Sequence, residues 1–442
     1  MDAKIVEQIN RNHIEFVQLE SIDLNGISRS VIAHSEHFLR DYKSGIYNSP
    51  ECLSVQVSGE FVSNTELSDL SNAKLLPDLN TFRILPWLDS TASVLCEFDH
   101  LVARQASPRW QCQIQLEKLA KIGYQMYNAF EYEFYLVDAE TLEPVCKDVS
   151  FASTVTANKL RPVMYDVMRN LRRIDIEPEI FKPVDGPFEL TLAPEFGLKS
   201  VDNTLRYKES VKAVAEKHGM KALFLSKPYL ELPESSCHFN HSLWDLSGKR
   251  NAFSDLSKGG KLSGVCKNWI GGLQEHSKAL MALQYLTVNC FERFKPGTHV
   301  PSDNSWGYDN RSVCFRVKNL SPSSTYIENR IPGSGCNPYL VTTGCLIAGM
   351  DGVKRNLQPK SEPFIGNLRK SGHLPEGIER LPDSLEQALR CLKDDEVFVG
   401  ELGDIFMKAY IALKEDEMRR WKTFRNKEKK WDFYRKILGQ YL

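Results

Sequence analysis

Residues 130–136 read Phe-Glu-Tyr-Glu-Phe-Tyr-Leu. Successive side chains of a strand point to opposite faces, so Glu131 and Glu133 share one side and Tyr132 and Phe134 the other. The same alternation recurs further along the chain. In Phe188–Leu192 (FELTL), Glu189 aligns with Thr191, and in Cys237–Leu243 (CHFNHSL), His238 aligns with Asn240 and Ser242. In Tyr326–Arg330 (YIENR), Glu328 aligns with Arg330, and Asn310–Val317 carries Arg311 and Arg316. Taken singly, each has an ordinary reading: a solvent-facing edge, a satisfied core histidine, a salt-bridged arginine. Together they predict a cavity whose strand-borne carboxylates repel one another until a cation neutralises them. Four glutamates and a histidine are mostly oxygen ligands, which suits Mg²⁺ or Mn²⁺ better than zinc. Arginines beside them would hold phosphate or carboxylate groups bidentately. A divalent metal with arginines is what phosphoryl transfer requires.

The rest of the chain frames this cavity. Its 442 residues carry 56 Lys and Arg against 57 Asp and Glu, a net charge of −1, with 42% hydrophobic and 26% charged residues. That composition belongs to globular proteins and excludes wholesale disorder. Neutrality argues against a nucleic-acid partner bound through bulk charge. The polar start, Met1–Arg11, lacks the apolar core of a signal peptide, and the longest apolar run, Leu340–Met350, is too short to span a bilayer, so no membrane partner is expected. Eleven scattered cysteines without a CxxC pair predict reduced thiols and a cytoplasmic location.

Alternation predicts strands at Ile14–Asp23 and Ile27–Ala33 around the Asn25-Gly26 hairpin, then at Leu53–Val57, Phe82–Leu85 and Ser93–Phe98. A polar break at Arg104–Arg109 precedes a helix over Cys112–Ile122 stopped by Gly123, and marks a domain boundary. Beyond it strands and helices alternate. Helices are expected at Asn203–His218 with Asp202 as N-cap, at Cys266–Ala282, and through most of the chain after Pro338. In that last region Asp383-x-x-Glu386 starts Ser384–Leu392, and Gly403–Arg425 follows. Lys427–Lys430 reads as a solvated surface.

In this order, the segments AFEYEFYLVD, FELTLAPEFGLKSVDN, KPYLELPESSCHFNHSLWD, RFKPG, SWGYDNRSVCFRV and YIENRIPGSGCNPYLV resemble class I glutamine synthetase. The likeness runs from about residue 14 to the C-terminus. TFRILPW, PEFGLKSVDN, HSLWD and SWGYDN carry a closer likeness to the family's vertebrate lens branch, the lengsins. The resemblance implies an α+β fold: an N-terminal β-grasp domain over residues 1–105, then a catalytic-type domain over 106–442 with a curved antiparallel sheet and C-terminal helices. It implies chemistry in which glutamate and ATP give an acyl phosphate that ammonia attacks. Matched residue by residue, Glu131, His238 and Glu328 correspond to ligands of the metal that engages ATP. Glu133 and Glu189 correspond to two of three carboxylates around a second, ammonia-side metal. Arg293, Arg311, Arg316 and Arg330 correspond to arginines for glutamate, phosphoryl group or nucleotide, Ser242 to a nucleotide-side hydroxyl, and His299 to the flap residue that closes the site. The implied cofactors are ATP with Mg²⁺ or Mn²⁺. The implied partners are further copies of the chain, in a ring homo-oligomer of stacked hexamers. The lens branch adds a cytoskeletal partner.

The departures from the family pattern fall on one half of the site. Phe181 and Lys182 stand where the third ammonia-side carboxylate belongs. Pro233–Ser236 replaces an Asn-Gly-Ser-Gly loop, and His299 replaces the flap glutamate. Asn240 and Tyr326 replace a histidine and an arginine, and the loop at Gly45–Cys52 offers Glu51 in place of an aspartate. Removing one charge-stabilising group from such a site commonly costs about 10²–10³ in rate. Two readings follow. The one the departures favour is a non-catalytic, structural or chaperone-like assembly. The other is an ATP-dependent ligase joining glutamate, or a related acid, to an altered amine.

Overall fold

The computed structural model describes residues 2–62, 66–68, 70–146, 150–184, 186–294, 300–319, 321–366, 374 and 376–442. After the amphipathic helix α1 (Asp2–Arg11), a small sheet forms from β1 (Phe16–Ile22), β2 (Ser28–His34), β3 (Ile46–Asn48), β4 (Ala73–Pro77), β5 (Arg83–Ile84) and β6 (Thr91–Phe98). Its order is β2-β1-β6-β4-β3, with β5 on β6 and helix α2 (Ser35–Asp41) after β2. The β1–β2 hairpin forms where Asn25-Gly26 predicts it. Asp23 Oδ1 accepts from the amides of Asn25 (2.9 Å) and Ile27 (2.8 Å), and Gly26 takes a φ of +78°, a conformation that favours glycine. Strand β1 also pairs with β6 in parallel, which closes the small sheet around Val17, Leu19, Val94 and Phe98. The strand expected at Leu53–Val57 is not one. Pro50 opens a 3₁₀ turn over Pro50–Ser54, and Val55 only bridges Phe61. Proline fixes φ and removes an amide donor, which suits the start of a helical turn and not a ladder.

The chain then enters α3 (Leu101–Ala106) and α4 (Pro108–Lys121). The expected polar break shrinks to Ser107, whose hydroxyl accepts from the Trp110 amide and caps α4.

A second, curved sheet follows. Its strands include β7 (Tyr124–Asp138), β8 (Pro178–Pro183), β9 (Phe188–Leu192), β10 (Glu195–Phe196), β11 (Met220–Leu223) and β12 (Cys237–Asp245). A short ribbon of β13 (Ser254–Asp255) and β14 (Lys261–Leu262) stands apart, and β15 (Trp306–Tyr308), β16 (Phe315–Asn319) and β17 (Thr325–Asn329) complete the sheet. The order is β15-β16-β17-β12-β7-β9-β8, with β10 and β11 also on β7. Pairing is antiparallel except at the β15–β16 edge, which is parallel. Strand β7 lies inside the sheet, between β12 and β9, and its apolar face is buried. Tyr132 and Phe134 pack with Tyr207 and Phe224 at ring separations from 5.2 to 6.1 Å, and Phe130 packs on Phe239 at 4.7 Å.

That packing is supplied by α4 and by α6 (Leu198–Lys217), while α5 (Thr154–Arg173) packs on α6 and β8. Helix α6 starts five residues earlier than Asp202 would have it, after Gly197 at φ +59°. Asp202 is therefore inside the helix and buried. It takes Arg109 Nε (3.0 Å) and Nη2 (2.9 Å) and the Tyr339 hydroxyl (2.7 Å). Arg109 also reaches Asp78 (2.8 Å), and Arg206 Nη1 donates to Glu20 (2.8 Å). These buried guanidinium bridges dock the small sheet against α4 and α6. Stripping one partner from such a bridge leaves a buried charge and costs about 3–5 kcal/mol.

The helix expected at Cys266–Ala282 is two, α7 (Gly264–Glu275) and α8 (Ser277–Gln284), split at His276. The imidazole bridges Asp351 (2.9 Å) and Asp395 (2.7 Å), an arrangement invisible to periodicity. After α9 (Val288–Phe291) and α10 (Pro338–Arg355), helices span Leu385–Asp394, Glu396–Thr423 and Lys427–Phe433. Ser384, not Asp383, caps the first of these. The second begins before the expected Gly403, which sits at φ +77° as a kink. Lys430 lies 3.9 Å over the Trp421 ring, while Glu428 and Lys429 are exposed as expected.

Candidate active site

Register between strands assembles the polar face. Glu131 on β7 stands opposite His238 on β12 and Thr191 on β9. Two residues along β7, Glu133 stands opposite Glu189, which in turn stands opposite Lys182 on β8. On the other flank, Asn240 on β12 stands opposite Glu328 on β17, and Glu328 stands opposite Arg316 on β16. Directly opposed residues share a face of the sheet. The result is a diagonal of charge across six strands, with Lys182 at one end and Arg316 at the other.

The diagonal holds two clusters. In the first, one ligand atom each of Glu131, His238 and Glu328 lies within 4.8 Å of the others. His238 Nδ1 stands 3.4 Å from Glu131 Oε2 and 3.4 Å from Glu328 Oε1. At bonds of about 2.1 Å, octahedral ligands stand about 3.0 Å apart when adjacent and about 4.2 Å apart when opposite. Two carboxylates and an imidazole at these spacings fit a hard divalent ion after small side-chain shifts. The support around them is polar and fixed. Asn240 Nδ2 donates to Glu131 Oε1 (2.8 Å), Arg316 Nη1 donates to Glu328 Oε2 (2.9 Å), and Arg330 Nη1 donates to Glu328 Oε1. A carboxylate has about four lone-pair sites, so these bonds leave room for a ligand.

Burial alone would push the Glu131 carboxyl up. The hydrogen bonds and charge of His238, the Asn240 amide and the Lys182 charge outweigh it and hold Glu131 at about 2. Glu328 is likewise held below the usual range, with burial opposed by the charges of His238, Arg330 and Arg316. Both carboxylates are therefore ionised at neutral pH. Arg316 is anchored at its other side by Asp309, whose Oδ1 accepts from Nε at 3.1 Å and whose φ is +44°. Sequence reading missed Asp309, since no spacing links it to the strand faces.

In the second cluster, Lys182 Nζ lies 2.7 Å from Glu189 Oε1, and Glu133 Oε2 accepts from the Ser236 amide at 2.6 Å. Of the two residues at the missing carboxylate's place, Lys182 faces the site, and Phe181 faces away onto the Phe188 ring, 6.2 Å between centroids. Burial and the neighbouring Glu131 charge push the Glu189 carboxyl up, and Lys182 only partly offsets them. Among the described residues, no trio of candidate ligands includes Glu133 or Glu189. The ammonium facing Glu189 stands where a third carboxylate would complete such a trio.

The other sequence-predicted residues divide. Arg293 is buried, and its guanidinium donates to the carbonyls of Ile331 (3.2 Å) and Pro332 (3.1 Å) and to Ser236 Oγ (3.2 Å). It clamps the Pro233–Ser236 loop to the segment after β17. Ser242 Oγ accepts from Trp244 Nε1 (2.9 Å). Arg311 does not join Arg316. Asn310 Oδ1 accepts from the Ser312 amide (2.8 Å), the local bond turns the chain, and β16 begins only at Phe315, leaving Arg311 exposed. His299 lies outside the described residues. Glu51 sits half-buried in the 3₁₀ turn of the small sheet.

Beside the first cluster opens a cavity of about 470 Å³ lined by Glu131, Asn240, Ser242, Tyr326, Tyr127 and Trp244, among others, with Lys182 and Glu189 also on its wall. Burial and the carboxylates of Glu131 and Glu328 push the Tyr326 phenol up to about 12, so it stays a neutral wall.

The family described as glutamine synthetase, catalytic domain, matches residues 105–436. The chain belongs to the glutamine synthetase family. Among this family's curated members, it is 30% identical to the glutamate–isopropylamine ligase of Pseudomonas sp over 96% of this chain and 95% of that one. It is also 30% identical to the lengsin of Rattus norvegicus over 95% of this chain and 75% of that one. A solved structure of apo GmaS without ligand superposes with a TM-score of 0.84 at 24% identity, covering 97% of this chain and 98% of that one. The glutamine synthetase-like fold, with its curved sheet and C-terminal helices, is thus shared in full. Among the described residues, no helix is long and apolar enough to cross a membrane.

Proposed function

We propose that the chain is an ATP-dependent ligase that joins glutamate, or a closely related acid, to an amine other than ammonia. The observation that carries this reading is the ordered cluster of Glu131, His238 and Glu328 beside buried Arg316 and Arg330. Ionised carboxylates taken out of water are costly unless paired. Here Glu131 and Glu328 converge on His238 with lone pairs still open to an added cation. Sequence departures alone favoured a non-catalytic assembly. The geometry shifts the balance, because the departures are built into defined contacts: Ser236 on Glu133 and Arg293, and Lys182 on Glu189.

Glu131, His238 and Glu328 are the residues that would hold Mg²⁺ or Mn²⁺, which when bound supplies charge neutralisation for the nucleotide phosphates. Around it, the cavity with Ser242, Tyr127 and Trp244 offers a polar and aromatic bed for the nucleotide, in the usual volume range of about 300–1,000 Å³. Arg330 and Arg316 hold Glu328 ionised and in place, and present guanidinium charge where phosphoryl groups meet the carboxylate substrate. Arg293 positions the loop that borders the acid side. Similarity to a glutamate–isopropylamine ligase over nearly the whole of both chains supports an alkylamine acceptor.

A second reading has its own support in the lengsin relatives at equal identity. In that reading the fold serves as a cytoplasmic, non-catalytic or chaperone-like assembly with a cytoskeletal partner. In either reading the assembly is a ring homo-oligomer of stacked hexamers, and the domain division remains 1–105 and 106–442. Phe16 and Ile32, exposed on one face of the small sheet, suit contact with another copy. Light scattering tests the ring, and a monomer contradicts it.

The test of the ligase reading is amide formation. Purified protein with Mg·ATP, glutamate and isopropylamine should release ADP and phosphate in step with γ-glutamyl amide detected by mass. Protein that binds Mg·ATP yet releases no ADP with any of a panel of alkylamines between pH 6 and 9 overturns it.

A further inference from the structure

We propose that the Lys182 ammonium is the resident cation of the Glu133–Glu189 half of the site, standing where a second divalent ion would otherwise be required, so that each chain holds one divalent ion and not two. The inference rests on the ligase reading only for the use to which that charge is put. The ion count itself does not depend on it.

Register places the ammonium there. Lys182 is the direct partner of Glu189, and Glu189 is the direct partner of Glu133, so the three form one row across β8, β9 and β7. The neighbouring residue, Phe181, is turned to the Phe188 ring on the other face, so the lysine and not the phenylalanine enters the cavity. Its Nζ stands 2.7 Å from Glu189 Oε1, the oxygen an incoming ion would need. Glu189 is 5% exposed, so water cannot take over the role of a lost cation. The Lys182 charge also reaches across to Glu131, where it helps keep that carboxyl ionised.

Charge balance gives the replacement its sense. Glu133 and Glu189 with one ammonium carry a net −1. Three carboxylates around a divalent ion carry the same net −1. Exchanging an acid for lysine while dispensing with the ion therefore leaves the net charge at the site unchanged. Adding a divalent ion to the row as it stands would invert the local charge to +1 and set two cations against one buried oxygen. A lysine opposite an intact pair of glutamates is thus a balanced substitution. Drift that removed the third carboxylate alone would leave two carboxylates on adjacent strands with no counter-charge. The ammonium also differs from a metal in having no open coordination position. An acceptor amine at this end meets fixed charge and hydrogen-bond donors, not a ligand-exchange site.

The test is a count. The full-length chain, free of nucleotide, is titrated with Mn²⁺ while free ion is read by electron paramagnetic resonance. Wild type should saturate at one ion per chain. Lys182→Glu, which restores a third carboxylate, should saturate at two, with broadening from the neighbouring pair of ions. Wild type saturating at two, or at none, overturns the proposal, and this count stands even if the variant fails to fold. A folded Lys182→Glu protein that still takes one ion overturns it as well. Wild type that binds one ion and makes no amide removes the ligase reading and leaves this inference in place.

Discussion

The two clusters on the polar diagonal sit one strand step apart and solve the same problem differently. Glu131 and Glu328, with His238 between them, bring anionic oxygens close together and leave a gap suited to an exogenous ion. Glu133 and Glu189 stand opposite one another, and Lys182, on the far side of Glu189, sets a protein ammonium against that carboxylate. Both clusters have a firm outer support: Asn240, Arg316 and Arg330 for the first, the Ser236 amide for the second. The difference teaches that a missing ligand is not the same as a missing charge. One half keeps a place for an exchangeable cation. The other half has made its cation covalent.

The comparison is broken most severely at its first cluster. Glu328→Ala removes a ligand and leaves Arg316 and Arg330 without their shared carboxylate. Amide formation should fall by about 10²–10³-fold, and Mn²⁺ affinity should fall by more than the 10–100-fold typical of supporting residues. Paired Mn²⁺ titration and initial-rate measurements check this, and unchanged Mn²⁺ binding would place the ion elsewhere.

Lys182→Met strikes the second cluster without adding a ligand. It should cost ~1–3 kcal/mol in urea unfolding by stranding a buried carboxylate, and leave the single Mn²⁺ site filled. The cost has a pH signature. The Glu189 carboxyl is already raised in the folded protein, and without Lys182 it rises further. Stability of the variant is therefore lost as pH climbs through that higher folded value. The gap between variant and wild type should be small near pH 4.5 and full near pH 8. A gap independent of pH would mean that Lys182 acts by packing and not by charge.

Asn240→Ala removes one neutral donor from Glu131. It should weaken Mn²⁺ binding by about tenfold, the low end for outer support of a metal ligand. Asn240→Asp adds charge beside the same carboxylate, and the two variants together separate orientation from electrostatics.

The smallest effect lies outside both clusters and serves as the reference for them. Burial lowers the His276 imidazole, but Asp395 and Asp351 outweigh it and raise it above the ordinary histidine range. Its contribution is complete below the unfolded value of about 6.5 and is lost as pH rises through the folded one. His276→Gln should cost ~1 kcal/mol more at pH 6 than at pH 9 in urea unfolding, with no change in ion count.

Much of this architecture is legible in the sequence because two periods suffice for it. Alternation puts Glu131 and Glu133 on one face, Asn25-Gly26 marks the first hairpin, and ordered segments carry the family likeness. Register is not legible. Nothing in Phe181-Lys182 says which of the two faces the cavity until Lys182 pairs with Glu189 across β8 and β9. Long-range side-chain bonds are equally silent. Asp202 has the composition of an N-cap, yet Arg109, ninety-three residues away, and Tyr339 draw it inside a helix. His276 interrupts a periodic run because two aspartates from distant helices meet on it. Arg311 shows the reverse error: alternation suggests a strand where an Asn310 turn prevails.

The contrast between an exchangeable and a covalent cation is tested most directly by anomalous diffraction from crystals of the full chain soaked in Mn²⁺. The account predicts one peak per chain, between Glu131, His238 and Glu328, with Lys182 still on Glu189. A second peak between Glu133 and Glu189, with the lysine displaced, would contradict it.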